Sequence, residues 1–346
     1  MAAADDLPGR LLPLAGGRAA PLVSARGVSK HFGAGWRLPW RPATRVRAVD
    51  GVDLEVRAGE TVGLIGESGS GKSTLGRLLL RVQDVTSGSI WFDGTDITGA
   101  HGAQLRAARR RMNLVFQNPY SAVDRRWRIR DVIAEPLAAH GIGDPASRQE
   151  RVSELIQLVG LPGTFEARYP HQLSGGQLQR VVVARALATG PDFIVADEPT
   201  ASLDVSVRAQ LINLMADLKR QFGLAMLFIS HDLRTVSALS DRIAVMYLGR
   251  LVETGPAAAL TTVPQHPYTQ ALIAALPRLA PGQRRIVAPQ GEIPSAVNPP
   301  SGCHYHPRCP LARPICRTEY PVLEEKQPGV WVACHAVAGN PPGITV

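Results

Sequence analysis

Short apolar runs alternate with longer amphipathic segments through the middle of the chain. The apolar runs have the length of buried strands and are bounded by glycine, serine or charged residues. They are ETVGLIG (60–66), DFIVAD (192–197), AMLFIS (225–230) and RIAVMYL (242–248). The segments between them, such as residues 205–223, repeat apolar residues at helical spacing. This alternation predicts an α/β fold whose sheet is mostly parallel and flanked by helices.

The two ends of the chain follow other patterns. Residues 1–21 are small and rich in proline and glycine, which predicts a flexible N-terminus. Two further strands are predicted at 22–32 and 48–56, with a basic insertion between them, and the pattern is helical at about 118–190. From Pro281 onward proline, histidine and cysteine increase and periodicity fades, which predicts a small loop-rich appendage.

Composition adds little that is specific. The 346 residues are 45% hydrophobic and 19% charged, and no apolar run is long enough to span a bilayer. Asp5 and Asp6 lie where a secretion signal would be basic, so we expect a cytosolic protein. The formal charge of +9 comes mostly from arginine, because only four of the 38 basic residues are lysine. Since that bias can follow genome composition, charge alone predicts no specific nucleic-acid partner.

One motif carries specific chemistry. GESGSGKST, residues 66–74, matches G-x-x-x-x-G-K-[ST] between a predicted strand and a predicted helix. Its glycines let backbone N–H groups point at phosphates, and the helix start adds favourable partial charge. Lys72 would reach the β- and γ-phosphates of a nucleotide, and the Ser73 hydroxyl would bind Mg²⁺. The predicted ATP-binding residues of this phosphate loop are Gly66, Glu67, Ser68, Gly69, Ser70, Gly71, Lys72, Ser73 and Thr74.

Polar residues follow three other predicted strands. Asp197 and Glu198 end one strand, Gln117 follows NLVF, and His231 follows AMLFIS. Because ligands gather at the carboxyl ends of parallel strands, we expect these side chains near the phosphate loop. Asp197 would meet Mg²⁺ directly or through water, and Gln117 would touch Mg²⁺ or the attacking water. Glu198 would orient that water or accept its proton, and His231 would bond the γ-phosphate.

A second anion-binding pattern lies about a hundred residues later. In LSGGQ, residues 173–177, a serine and two glycines lead into a predicted helix. Together with the phosphate loop it makes the chain resemble the nucleotide-binding domains of ABC transporters, over about residues 22–260. The matching motifs, in the family's order, are Gly66–Thr74, Gln117, LSGGQ, ADE at 196–198, SLD at 202–204 and His231.

The resemblance implies a P-loop NTPase fold of ABC type, with a mixed sheet core and a helical subdomain at about 118–190. It also implies that two such domains stack head to tail, with ATP between the phosphate loop of one and the LSGGQ loop of the other. A single chain would then be a weak ATPase. The residues that would serve ATP bound mainly by the partner are Ser174, Gly175, Gly176, Gln177 and, across the interface, Asp204.

The same family places an aromatic residue beside the adenine, shortly before the first long loop. Phe32 is the predicted residue, and Trp36 is the alternative. A buried aromatic residue without any ligand is the other interpretation of Phe32.

The C-terminal part, residues 261–346, resembles the extension of ATPases that serve oligopeptide and dipeptide importers. The similar stretches are 265–277, 291–316 and 332–335. This resemblance implies a second ATPase subunit of a different sequence, two membrane permeases and an external substrate-binding protein. It places the protein peripherally at the cytoplasmic face of the membrane. Peptides are the default cargo, and relatives of this type also carry nickel or sugars.

The extension contains all four cysteines of the chain. Four thiolates are the number needed for a [4Fe–4S] cluster, which some relatives hold, or for zinc. No C-x-x-C occurs, so spacing alone leaves iron–sulfur, zinc and reduced thiols open. His304, His306 and His335 could substitute as ligands. The cysteines are Cys303, Cys309, Cys316 and Cys334.

A different class of function is a soluble ABC-type ATPase acting on nucleic acid or ribosomes. Such proteins usually carry two nucleotide domains in one chain or a long coiled coil. This chain has one set of motifs and neither feature, which favours a transport ATPase.

Overall fold

The structure is a computed structural model that describes residues 20–33, 45–275, 291–292 and 294–337. The predicted flexible N-terminus up to residue 19 lies outside these residues, and so does Trp36. The strands are β1 Val23–Gly33, β2 Arg45–Val56, β3 Thr61–Ile65, β4 Ser87–Phe92, β5 Thr95–Asp96, β6 Met112–Val115, β7 Phe193–Asp197, β8 Ala225–Ile229, β9 Arg242–Tyr247, β10 Arg250–Pro256, β11 Glu324–Gln327 and β12 Val330–Val332. The helices are α1 Lys72–Leu79, α2 Gly102–Arg110, α3 Ile129–Ala139, α4 Pro145–Leu158, α5 Gly175–Leu187, α6 Val205–Phe222, α7 Leu233–Leu239, α8 Ala257–Thr262 and α9 Pro267–Ala274.

A large mixed sheet forms the centre of the described residues. Its strand order is β11-β12-β10-β9-β3-β8-β7-β6, and the five strands from β9 to β6 run parallel. A smaller antiparallel sheet has the order β2-β1-β4-β5. The four apolar runs of the sequence are β3, β7, β8 and β9 of the large sheet. Parallel strands covered on both faces lack polar alternation, which explains why these segments read as continuous apolar runs.

Successive residues of the central strands serve two different cores, since side chains alternate between the faces of a sheet. Phe193 and Val195 of β7 pack with the small sheet and with α1. Ile194 and Ala196 of the same strand pack with helices α3 to α7. Helix α1 therefore lies between the two sheets, and its first residue lies at the carboxyl end of β3.

Helices α3, α4 and α5 pack on one another within the stretch predicted to be helical. Their buried residues include Val132, Leu155 and Val182, which belong to the same core as one face of the large sheet. Each helix is short, so packing of these apolar faces rather than intrinsic propensity supplies most of its stability.

The C-terminal extension contributes to the large sheet. Strand β12 pairs antiparallel with β10, with Glu253 opposite Val332 and Thr254 opposite Trp331, and β11 pairs with β12. Gly329, with φ of 74°, closes the turn of this hairpin. Among the described residues, no helix has the length and apolarity needed to cross a bilayer.

Candidate functional site

The phosphate loop joins the end of β3 to the start of α1. Gly71 precedes the helix with φ of 104°, and a Cβ on it would lie 2.0 Å from the carbonyl oxygen of Ala48. Only glycine fits this left-handed position against the backbone of β2. No side chain caps the start of α1, so its first N–H groups are available to an anion.

Lys72 is 5% exposed and its ammonium is held inside the loop. Its Nζ donates to the carbonyl oxygens of Gly66 at 2.8 Å and Glu67 at 2.9 Å. Burial lowers the pKa of Lys72, and the neighbouring carboxylates, first that of Glu198, oppose this shift. The loop thus folds around a desolvated cation, and this positive charge can pair with the negative charge of a phosphate group.

The end of β7 supplies the acidic side of the site. Asp197 is 5% exposed, and its Oδ1 accepts a hydrogen bond from the Ser73 hydroxyl at 2.7 Å. Burial raises the pKa of Asp197, while the bond from Ser73 lowers it. These two oxygens, predicted to serve Mg²⁺, lie side by side, and oxygen ligands are the ones Mg²⁺ prefers.

Glu198 joins two polar residues from neighbouring strand ends. Its Oε2 accepts from Gln117 Nε2 at 3.3 Å and lies 3.2 Å from His231 Nδ1. Its φ is 46°, in the left-handed region that residues other than glycine rarely occupy, and its N–H donates to Ile229. Such strained positions are often found at functional sites. The structure therefore brings together the three residues predicted to act on the attacking water and the γ-phosphate.

Several of these residues line an open cavity of about 390 Å³. The carboxyl ends of β6, β7 and β8 form one side of it, and the phosphate loop forms another. Ala296, from the C-terminal extension, closes part of the wall, and the Arg47 N–H donates to its carbonyl oxygen at 3.1 Å. The lining residues are Val46, Ala48, Ser68, Gly69, Gly71, Lys72, Ser73, Thr74, Gln117, Glu198, His231 and Ala296.

Phe32 is not among the residues that line this cavity. The residue is 37% exposed, and the Lys30 ammonium lies over its ring, with Nζ 5.3 Å from the ring centroid. Val46, which lies opposite Phe32 on the neighbouring strand, does line the cavity. The predicted role of Phe32 beside adenine stays a prediction.

The LSGGQ loop begins α5. Ser174 caps the helix, since its Oγ accepts from the Gln177 N–H at 3.3 Å and its own N–H donates to Gln177 Oε1 at 3.0 Å. Asp204 likewise caps α6, accepting from the Val207 N–H at 2.9 Å. Hydrogen bonds from Val207 and Ser206 lower the pKa of Asp204. Among the described residues, neither loop contributes to the wall of the cavity that Lys72 lines.

The four cysteines lie near one another in the extension. The Cys303 N–H donates to the Cys316 carbonyl oxygen at 2.9 Å, and all four thiols are free. Burial, with smaller contributions from the other three sulfurs, raises the pKa of Cys303 to about 11. Within the described part of the chain, however, no three Cys, His, Asp or Glu side chains are placed to hold a metal ion. The arrangement described does not fit a cluster or a zinc site.

The histidines of the extension have other partners. His306 Nδ1 lies 2.9 Å from the Cys303 carbonyl oxygen, and His335 Nε2 lies 3.1 Å from that of Glu319. His304 is 6% exposed, and burial lowers its pKa to about 4. In the described fold, His306 and His335 thus contact backbone carbonyl oxygens, and the ring of His304 packs edge-on against Tyr320, with 5.1 Å between the ring centroids.

Two regions of the chain match known protein families. A family model described as "ABC transporter" matches residues 49–201, and one described as "Oligopeptide/dipeptide transporter, C-terminal region" matches residues 252–316. The probable peptide ABC transporter ATP-binding protein y4tS of Sinorhizobium fredii is 49% identical over 92% of this chain and 90% of its own length. The oligopeptide transport ATP-binding protein AppF of Bacillus subtilis is 45% identical over 91% of this chain and 97% of its own length.

The chain belongs to the ATP-binding proteins of ABC transporters.

A solved structure agrees with this membership. The ATP-binding cassette MJ0796, in a dimeric post-hydrolysis state bound to ADP and Pi, has a TM-score of 0.61 and 28% sequence identity. The similarity covers 68% of this chain and 98% of that one. The predicted α/β fold of ABC type is thereby confirmed. As an ABC ATPase, the protein uses ATP with Mg²⁺.

In this ABC ATPase, one glycine of the LSGGQ loop has a packing role that the sequence did not indicate. A Cβ on Gly176 would lie 2.3 Å from Cγ1 of Val207, so the start of α5 lies directly against α6. No signal in the motif itself identifies Val207, 31 residues later, as the neighbour.

Gly176→Ala is therefore expected to lower the free energy of unfolding by about 1–3 kcal/mol through overpacking. Denaturant unfolding of the nucleotide-free chain measures this loss. Adding Val207→Ala should restore most of it, because the clashing methyl groups are then gone. Gly175→Ala is the matched control, since a Cβ there would meet only Leu203 Cδ2 at 4.0 Å. Equal losses for the two glycine variants would contradict the packing explanation.

Proposed function

We propose that this ABC ATPase powers a membrane importer of oligopeptides or dipeptides. The observation that carries the proposal is the succession of two matched regions in one chain, the ABC transporter region and the oligopeptide/dipeptide transporter C-terminal region. The names of the Sinorhizobium and Bacillus relatives, which match over nine-tenths of the chain, support peptides as the cargo class.

In the proposed mechanism, the phosphate loop binds the triphosphate. The α1 N–H groups and Lys72 would hold the β- and γ-phosphates. Ser73, Asp197 and Gln117 would hold Mg²⁺, which would supply positive charge to neutralise the transferred phosphoryl group. The contact between Ser73 and Asp197 supports this assignment, because a metal ligand pair must lie close together.

The cluster around Glu198 would act on water. Its carboxylate would accept a proton from the attacking water, while His231 would bond the γ-phosphate and Gln117 would orient the water. The position of Glu198 between both side chains, at 3.2 and 3.3 Å, supports this division of roles.

The LSGGQ loop and Asp204 would complete the site of a partner subunit. Their position outside the wall of the chain's own cavity supports an arrangement in which each subunit lends half of a composite site. ATP would then close the pair, and hydrolysis would release it, driving the permeases. The proposed partners are a second ATPase chain, two permeases and an external binding protein, with the ATPase peripheral to the cytoplasmic face of the membrane.

The experiment that tests this function is reconstitution. The chain, and the partner ATPase and permeases that co-purify with it, would be placed in vesicles with the external binding protein. ATP on the ATPase side is expected to drive uptake of a labelled oligopeptide, and chain carrying Lys72→Ala should not support it. ATP-independent or absent uptake, together with salt-dependent DNA binding that stimulates hydrolysis, would favour the soluble ATPase instead.

The four cysteines of the extension are a separate candidate for metal binding. Some relatives of the resembled type hold a [4Fe–4S] cluster, and the four cysteines of the extension are the number of thiolates that such a cluster or a zinc ion needs. The described positions do not form such a site, so no step of the mechanism uses it. Iron and zinc analysis of protein purified without oxygen, with Cys309→Ser beside the wild type, distinguishes iron–sulfur, zinc and reduced thiols.

A further inference from the structure

The C-terminal extension reaches the phosphate loop through a bidentate ion pair. Arg308 Nη1 lies 2.8 Å from Glu67 Oε2, and Nη2 lies 2.9 Å from Oε1. The Arg308 side chain is 4% exposed and that of Glu67 is 18% exposed. A desolvated, bidentate pair of this geometry holds its partners far more firmly than a surface ion pair does.

A second residue of the extension holds the backbone of Glu67. The Glu67 N–H donates to the hydroxyl of Tyr268 at 2.8 Å. Tyr268 is fully buried, and its ring packs at 4.7 Å from Tyr247 and 5.4 Å from Tyr305. Arg308 also donates to the Tyr247 hydroxyl at 3.3 Å. A rigid cluster of three tyrosines therefore supports both contacts to Glu67.

Glu67 in turn holds the residue that binds phosphate. The Lys72 ammonium donates to the Glu67 carbonyl oxygen at 2.9 Å. A displacement of Glu67 would thus move one of the two backbone oxygens that place this cation. The Glu67 carboxylate also adds a negative charge beside a phosphate site, and Arg308 neutralises it. Without Arg308, that charge would oppose the binding of a triphosphate.

The extension touches the same site at one further point. Ala296 lines the cavity and accepts a backbone hydrogen bond from Arg47. The extension therefore contacts the nucleotide site in two places, at Glu67 and at Arg47.

We propose that Arg308 and Tyr268 are positioning residues for ATP binding, which act by holding Glu67 so that the phosphate loop presents Lys72 to the nucleotide. The proposal rests on the assigned role of the phosphate loop in binding ATP. On this proposal, the extension contributes to ATP binding itself, independently of contact with the permease or of metal binding.

The test compares ATP affinity and hydrolysis in single and double variants of the full chain. Arg308→Met removes the charge but keeps the length, and it is expected to weaken ATP binding about tenfold, because the unpaired Glu67 carboxylate then repels the phosphates. KM for ATP in the assembled transporter should rise by a similar factor, with kcat at saturating ATP nearly unchanged. Glu67→Gln added to Arg308→Met should recover most of the affinity, because no unpaired carboxylate then faces the phosphates.

Arg317→Met is the matched control, since Arg317 is an exposed arginine of the same extension. It should bind ATP like the wild type. If Arg308→Met does not fold, Tyr268→Phe provides the measurement, because it removes only the hydroxyl that accepts from Glu67. Weaker ATP binding by Tyr268→Phe with an unchanged melting temperature of the nucleotide-free chain would support the proposal.

Wild type and Lys72→Ala are measured alongside. If the wild type itself does not bind ATP, the assigned function fails. If the wild type binds and Lys72→Ala does not, equal affinities of wild type, Arg308→Met and Tyr268→Phe would overturn only the positioning role. Loss of affinity in Arg308→Met that Glu67→Gln does not relieve, together with a lowered melting temperature, would also overturn it, since that pattern is a general loss of structure.

Discussion

Glu198→Gln is expected to lower the rate of ATP hydrolysis by about 10²–10⁴-fold, the usual contribution of a positioned general base. The amide has the size of the carboxylate and can still contact Gln117 and His231, but it cannot accept a proton from water. ATP binding should persist, because the phosphate loop is unchanged. The variant should therefore accumulate as an ATP-bound pair of subunits, which size-exclusion chromatography with and without ATP detects.

The matched control for this substitution is Glu154→Gln. Glu154 is 65% exposed and pairs with Arg151 on the surface of α4, so the same chemical change there should leave turnover unaltered. If the partner ATPase is a different chain, its corresponding glutamate is also replaced by glutamine. Otherwise hydrolysis at one composite site would hide the loss of hydrolysis at the other. Undiminished turnover in Glu198→Gln would refute Glu198 as the base.

Lys72→Ala is expected to weaken ATP binding by about 10²-fold or more, the loss of at least two charged hydrogen bonds to phosphate. The ammonium is buried in the loop, where Lys72 is 5% exposed, and this burial lowers its pKa. Removal of this cation leaves the carboxylates of Asp197 and Glu198 beside the triphosphate without the opposing charge of Lys72. Calorimetric titration with ATP measures the loss directly.

A second measurement separates binding from folding. Because ATP binds only the folded chain, it raises the melting temperature of the wild type, and Lys72→Ala should abolish that rise. Lys326→Ala is the control, since Lys326 pairs only with Glu324 among the contacts described for it, far along the chain from the loop. Tight ATP binding by Lys72→Ala would contradict the assignment of residues 66–74.

The phosphate loop could be predicted because its determinants are contiguous. Nine neighbouring residues encode a strand end, a turn and a helix start. Gly71 is needed because the backbone of β2 leaves no room for a Cβ at this position. The meeting of Gln117, Glu198 and His231 could also be predicted, although they are distant in sequence. Each follows a strand, and the carboxyl ends of parallel strands share one edge of the sheet.

The extension could not be predicted in the same way. Its interpretation as a loop-rich appendage missed the hairpin β11–β12, although Pro328 and Gly329 between two short strand-like runs are a turn signal. No local sequence pattern predicts that β12 pairs with β10. The unpaired backbone N–H and C=O groups of an edge strand can pair with any extended segment of suitable length. The boundary at residue 261 stays a prediction.

The sequence by itself determined the family, the nucleotide class and the local chemistry of the loops, because these depend on residue types at fixed short spacings. The tertiary structure alone decided which distant side chains complete them. Arg308 lies 241 residues from Glu67, and Val207 lies 31 residues from Gly176. Such pairs follow from how sheets, helices and a buried tyrosine cluster pack together. Close packing depends on the shape of the whole core, and no short stretch of sequence encodes that shape.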